Sequence, residues 1–271
     1  MKTEQQHREE IVRVGRFMFE KGWIAANDGN ISLRLPDENG QGRLLATPTG
    51  VSKGMLSPDD LIITDMAGNK LSGHRERTSE MEMHLTIYRT RPDVTAVVHA
   101  HPPTATGFAV AGRALNLGIL PEVIVSLGAI PLVEYGEPGT SALSDAMLPY
   151  LPKYDALLLA NHGAVAYADD LLRAYHRMET VEHSARITLV AELLGGPKAL
   201  PRAEIRKLFA ARERYGVKSH NRYEPGWPLA AEDIAAADEI EKDAAEKAEE
   251  KFAITRQHLL ALIEEALKVR A

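Results

Sequence analysis

Apolar positions along the first 200 residues switch between a helical and a strand period, and the switches set out the elements. Residues 5 to 22 place Ile11, Val14, Phe17 and Met18 at helical spacing, with Gly22 as the stop. A Gly-Asn turn leads into NISLRL, where Ile31, Leu33 and Leu35 alternate as in a strand. RLLA, ending in a Thr-Pro-Thr-Gly loop, and LIITD, closed by the turn MAGNK, predict two more strands. In RTSEMEMHLTIYRTRP the apolar Met81, Leu85 and Tyr88 predict a helix with Ser79 as its N-cap. VTAVVHAH is the next strand, and PPTATGFAVAG a short helix entered by proline. Residues 123 to 133 read as two short strands, followed by a turn around Gly136 and a helix from about Ser141. ALLLANHGAVAYA reads as a strand, a sharp turn over Asn161 to Gly163 and a returning strand. A long helix from about Asp169 to Leu194 stops at Gly195-Gly196-Pro197, and PRAEIRKLFAARERYG gives another.

This mixture predicts an α/β fold with a sheet sandwiched by helices. NRYEPGWP is a linker by composition, dividing a domain of residues 1 to 224 from an extension of residues 225 to 271. The extension is rich in Ala, Glu and Lys, with Phe252, Leu259, Leu260, Ile263 and Leu267 at helical spacing. It reads as one or two helices whose apolar stripe docks on the body or on a neighbouring subunit, or else as a solvated tail.

Composition narrows the function. At 271 residues and 45% hydrophobic, the chain can bury a sizeable core. A net charge of −6 gives no electrostatic footprint for nucleic acid. No apolar run reaches the roughly 20 residues that span a bilayer. The charged start MKTEQQHREE holds no signal region, so a cytoplasmic protein is expected. Without a single cysteine, any metal must be held by His, Asp or Glu.

The candidate chemistry lies at strand ends. His99 and His101 stand two apart in a strand, so both imidazoles leave the same face. His162 directly follows another apolar strand, and Glu80 opens a helix behind Thr78 and Ser79. Three histidines and a carboxylate suit Zn²⁺ and tolerate Co²⁺ or Mn²⁺. The turns Gly29-Asn30 and Thr49-Gly50 are small and donor-rich, and Thr78-Ser79 precedes a helix start, a setting that suits a phosphate. His84, His176 and His183 fall within predicted helices and read as satisfied helix histidines, while His7, His74, His220 and His258 read as solvated.

GNIS, TPTG, TSEMEMHLTIY, VVHAHPPTATGFA and LLANHGAVAYA, in this order and spacing, resemble the class II aldolase/adducin family, and within it the fuculose-phosphate aldolases. The resemblance covers roughly residues 5 to 215 and implies a central, mainly antiparallel sheet covered by helices. It further implies a homotetramer with its sites at subunit interfaces. It places the metal on Glu80, His99, His101 and His162, with Glu80 also the base. The phosphate falls on Gly29, Asn30, Thr49, Gly50, Thr78 and Ser79. The implied reaction is cleavage of a ketose 1-phosphate, such as L-fuculose 1-phosphate or a 5-deoxy ketose 1-phosphate, to dihydroxyacetone phosphate and an aldehyde through an enediolate. Decarboxylation of a 3-oxo sugar-acid phosphate and pentulose-phosphate 4-epimerisation use the same metal site, though LPEVIVSLGAIP is unlike the epimerase segment. An adducin-like interaction domain, without metal, is the non-enzymatic alternative. The sequence departs from the family where those aldolases carry a tyrosine from a neighbouring subunit as proton donor. Glu122 stands at or near that position, as a replacement acid or a structural residue. Tyr215, in RERYG, matches the family's C-terminal tyrosine, with helix-end packing as its other reading.

Overall fold

The computed structural model describes residues 2–36, 42–217, 227–237 and 239–240. Its centre is an eight-stranded sheet built from β1 (Asn30–Leu35), β2 (Arg43–Ala46), β3 (Ile62–Asp65), β4 (Lys70–Ser72), β5 (Ala96–Ala100), β6 (Leu132–Val133), β7 (Ala156–Leu159) and β8 (Gly163–Ala168). The strand order is β4-β3-β2-β1-β5-β8-β7-β6. Every pairing is antiparallel except β6 with β7. The sheet is therefore mixed and mainly antiparallel, with helices on both faces.

Alternation along the strands divides the core in two. Ile31, Leu33, Ala96, Val98, Ala164 and Ala166 face α1 (Glu4–Glu20), α3 (Pro103–Val110) and α6 (Leu171–Leu193), where Ile11, Val14, Ala105 and Met178 pack. Leu44, Ile62, Val97, Val165 and Tyr167 face α2 (Met81–Thr90) and α5 (Ser141–Met147), with Met81, Leu85, Tyr88 and Leu143. Burial of both faces explains why β5, β7 and β8 read as nearly unbroken apolar runs and not as polar/apolar alternation. On β5 the parity puts His99 and His101 on the α2 side, and on β1 it puts Asn30 and Ser32 there.

Local chemistry sets the helix ends. A capping box between Thr3 and Gln6 opens α1, and Gly22, at φ +68°, follows its end. Asp170 accepts from the N–H groups of Leu172 and Arg173 to open α6, and Gly195 and Gly196 close it in left-handed conformations.

Three expectations change. The first of the two strands predicted within residues 123 to 133 is instead α4 (Pro121–Ser126). Pro121 presets the first turn, and Val123, Ile124 and Leu127 bury one flank, so packing overrides the β-propensity of Val-Ile-Val. Ser79 does not cap α2; the cap position belongs to Glu80. Part of the expected linker is packed: the Trp227 ring stands edge-on to Tyr154 at 6.0 Å, and Leu229 N–H donates to Asn116 O at 2.7 Å. Ala230 is buried beside Ile124 and Ile205, the latter on α7 (Arg202–Ala211). Residues 221 to 226 of that linker lie outside the described residues. Of the extension, residues 231–237 are helical, and its stripe from Phe252 to Leu267 also lies outside them. Among the described residues no helix is long and apolar enough to cross a membrane.

A buried ion network ties the second core to the sheet. The Asp155 carboxylate is fully buried, with Arg91 at 2.8 Å and Arg177 at 3.1 Å. Asp155→Ala would leave these guanidinium groups short of their shared counter-charge. A loss of about 3–5 kcal/mol in denaturant unfolding is expected, and an unchanged midpoint would refute it.

Candidate metal centre

The sheet topology gathers the sequence motifs at one end. β1 begins where its antiparallel neighbours β2 and β5 end, with Asn30 opposite His99. β5 ends where β8 begins, with Ala100 opposite Ala164. The β7–β8 turn is tightened by Asn161 in the left-handed region at φ +56°, and it delivers His162 to that same end. Gly163 must lack a side chain: a Cβ there would lie 2.5 Å from the His101 ring and 2.6 Å from Ala100 O. The His101 backbone is held beyond the strand end by its N–H, which donates to Trp23 O at 2.9 Å.

The three imidazoles converge. One ligand nitrogen from each of His99, His101 and His162 lies within 4.8 Å of the others. His99 Nδ1–H donates to Ala164 O at 2.9 Å, which turns its Nε2 lone pair inward. His101 Nε2 stands 3.2 Å from His99 Nε2, and its Nδ1 lies 3.6 Å from Asp28 Oδ2. Glu80 closes the group, with Oε2 3.3 Å from His99 Nε2 and Oε1 3.1 Å from His162 Nε2.

Electrostatics mark the cluster as a place for a cation. Burial alone would raise the Glu80 carboxyl, but the charge of His99 and the close approach of both histidines hold it far below the usual carboxylate range. Burial opposes charge on His99, and Glu80 raises it in return. Burial and the charges of His99 and His162 push His101 down to about 4. The His99 and His101 Nε2 atoms, 3.2 Å apart, can share a hydrogen or turn their lone pairs to one cation. Glu80 Oε1 is buried without an aligned hydrogen bond. These donors, three nitrogens and one carboxylate, fit a divalent ion of the Zn²⁺, Co²⁺ or Mn²⁺ kind.

The loops beside the cluster are drawn together by backbone pairing. Pro48 bridges to Arg77, and Thr49 N–H donates to Glu76 O at 3.0 Å, which sets the Thr49-Gly50 turn beside Thr78-Ser79. Thr49, Gly50 and Ser79 are exposed. Gly29 lies against β5, where a Cβ would meet His99 O at 2.7 Å. Asn30 is buried, and its Nδ2 is committed inward, donating to Glu80 Oε2 at 2.7 Å and Thr78 Oγ1 at 3.3 Å. Between the loops, Lys53 Nζ donates to the Asn27 and Val51 carbonyls, and burial pushes that ammonium down to about 8.

Glu122 and Tyr215 are not part of this group within the chain. Glu122 is exposed on the first turn of α4 and lines a separate cleft of about 830 Å³ with Lys21, Trp23 and the outer face of α6. Tyr215 is 66% exposed in the short 3₁₀ turn after α7. Sequence reasoning passed over Asp28, Ser32 and Lys53; His84 and Tyr88 are, as it expected, a satisfied helix histidine and a core residue of α2, and their connection to the site went unread. For His84 and Ser32 a signal existed: His84 is one helical turn beyond Glu80, and Ser32 is two strand positions beyond Asn30.

Comparison with known proteins gives the family. Residues 9–189 match the family model of the Class II Aldolase and Adducin N-terminal domain. The chain is 34% identical to a 5-deoxy-D-ribulose 1-phosphate aldolase of Bacillus thuringiensis serovar kurstaki, over 78% of this chain and 98% of that one. It is 35% identical to a 3-oxo-tetronate 4-phosphate decarboxylase of Escherichia coli, over 70% of this chain and 89% of that one. A solved structure of an L-fuculose 1-phosphate aldolase aligns with a TM-score of 0.69 at 31% identity, covering 77% of this chain and 95% of its own. The protein belongs to the class II aldolase and adducin family.

Proposed function

We propose that the protein is a divalent-metal-dependent lyase, with Zn²⁺ as the ion, that cleaves a ketose 1-phosphate to dihydroxyacetone phosphate and an aldehyde. The observation that carries this reading is the convergence of His99, His101, His162 and Glu80 beside three polar loops at one end of the sheet. An ion bound there supplies Lewis-acid stabilisation of the negative charge that cleavage places on the substrate oxygens.

The protein groups have separable tasks. The exposed Thr49, Gly50 and Ser79, with the buried Thr78 behind Ser79, present hydroxyl and backbone groups to the phosphate, a remote anchor that fixes the reacting carbons. Asn30 serves from behind, since its amide is turned into the protein. Glu80 is the proton carrier. While it faces His99 and His162 its basicity is suppressed, so it accepts a proton only after withdrawing from them. Glu122 and Tyr215, both exposed, fit the proposal that a neighbouring subunit completes each site in a homotetramer.

Decarboxylation of a 3-oxo acid phosphate is the second reading, favoured by the similarity to the tetronate-phosphate enzyme. It needs the same ion and the same phosphate anchor. A screen of ketose 1-phosphates and 3-oxo acid 4-phosphates with Zn²⁺-loaded protein decides between them. Release of dihydroxyacetone phosphate together with an aldehyde from a ketose 1-phosphate is the expected result. CO₂ released with dihydroxyacetone phosphate from a 3-oxo acid 4-phosphate, and no aldehyde from any ketose 1-phosphate, would transfer the protein to decarboxylation, and no product from either class would overturn the lyase reading.

A further inference from the structure

We propose that His84 is a positioning residue of this site, which sets the orientation of the Asn30 amide and through it holds Glu80 and Thr78 in one arrangement. The inference rests on the reading of Glu80 as part of a metal centre.

The hydrogens can be assigned outward from Glu80. Its ionised carboxylate only accepts, so the Asn30 atom 2.7 Å from Oε2 must be the amide nitrogen. The same nitrogen reaches Thr78 Oγ1 at 3.3 Å, which uses its second hydrogen. Asn30 Oδ1 therefore faces the other way, onto His84 Nε2. An amide oxygen cannot donate, so Nε2 of His84 must carry the proton. A neutral ring then leaves Nδ1 as an acceptor, which takes the Ser32 hydroxyl proton at 2.6 Å. Ser32 Oγ in turn accepts from Tyr88 OH at 2.9 Å. One direction of donation runs unbroken from Tyr88 through Ser32, His84 and Asn30 to Glu80.

Burial makes this direction stable. His84 is 1% exposed, and Ser32, Tyr88 and Asn30 are also buried, so water cannot replace a missing partner. Burial and the charge of His99 push the His84 imidazole down to about 3, which keeps it neutral through the physiological range. Reversal of any one bond would leave two acceptors or two donors face to face, at the cost of an unsatisfied buried group. The Asn30 amide has no such preference by itself, because its two ends are nearly equal in shape. The Glu80 carboxylate supplies the discrimination at the nitrogen end and His84 at the oxygen end, the end that holds the amide in place from behind the site.

Two substitutions separate positioning from packing. The amide nitrogen of glutamine can stand near Nε2 of a histidine, whereas the shorter asparagine reaches only the Nδ1 position, where its amide oxygen can accept from Ser32. His84→Gln keeps a donor for Asn30, while His84→Asn keeps only the Ser32 side. The readout is Zn²⁺ affinity, by competition with a chromophoric chelator, alongside a thermal melt of each variant. His84→Asn should weaken Zn²⁺ binding by about 10–100-fold, with His84→Gln close to wild type. In an Asn30→Ala background the His84→Asn change should add no further loss. Wild-type affinity in His84→Asn, or its full loss repeated on top of Asn30→Ala, overturns the proposal. Should His84→Asn fail to fold, ¹⁵N NMR of the wild-type imidazole decides alone: a neutral Nε2–H tautomer is expected, and a Nδ1–H or charged ring overturns it. A wild-type protein that binds no Zn²⁺ would instead overturn the metal reading on which the inference stands.

Discussion

His101→Ala should abolish metal binding and cleavage together while leaving the protein folded. The side chain lies beyond the end of β5 and is 27% exposed, so its removal opens no cavity in either core. Its backbone stays anchored by the bond to Trp23 O. What is lost is one of three converging nitrogens, with two histidines and a carboxylate left behind. Zn²⁺ affinity should fall at least about a thousandfold, equivalent to about 4 kcal/mol. Metal content after dialysis, a Zn²⁺ titration and the cleavage rate should all show the loss, and the far-UV spectrum should not change. A variant that keeps stoichiometric metal and full activity would refute the site.

The same residue shows why part of the site was legible in the sequence. His99 and His101 share a face because strand geometry repeats every two residues, and that period is local. His162 was legible for a similar reason, as a polar residue delivered by a turn directly after an apolar strand. Glu80 stood out through its neighbours, although Ser79 competed for the cap position that Glu80 takes. The hydrogen-bond chain behind the site is different in kind. Ser32 and His84 are 52 residues apart, and their meeting depends on how α2 lies across β1. Neither period encodes that crossing, so His84 reads as an ordinary helix histidine until the sheet is assembled. Glu122 marks another boundary. It is exposed in a cleft beside Lys21 and Trp23, and the role proposed for it there depends on a neighbouring subunit, which no local period of the sequence encodes. The helix at Pro121–Ser126 was hidden for a third reason, because burial of Ile124 against Ile205 outweighs a local preference for strand.

Glu80→Gln is the sharper test of chemistry, because it preserves shape and removes only the charge and the basicity. The hydrogen-bond chain dictates how the new amide sits. Asn30 presents its amide nitrogen to the Oε2 position, so the glutamine oxygen must occupy that side. Its NH₂ then takes the Oε1 position, facing His162 Nε2 across 3.1 Å in place of a carboxylate oxygen. Metal affinity should therefore fall, both from the lost charge and from competition for the His162 lone pair. Excess Zn²⁺ can restore occupancy, which isolates the proton-transfer step. At full occupancy kcat should remain lower by about 10²–10⁴-fold, the range typical of a missing acid–base group. KM should move far less, since Thr49, Gly50, Thr78 and Ser79 still hold the phosphate in the proposed mechanism. Wild-type kcat in a fully metallated variant would remove Glu80 from proton transfer and leave it as a ligand alone. A loss confined to metal affinity and a loss persisting at saturation thus assign Glu80 to different tasks, and the second is the expected one.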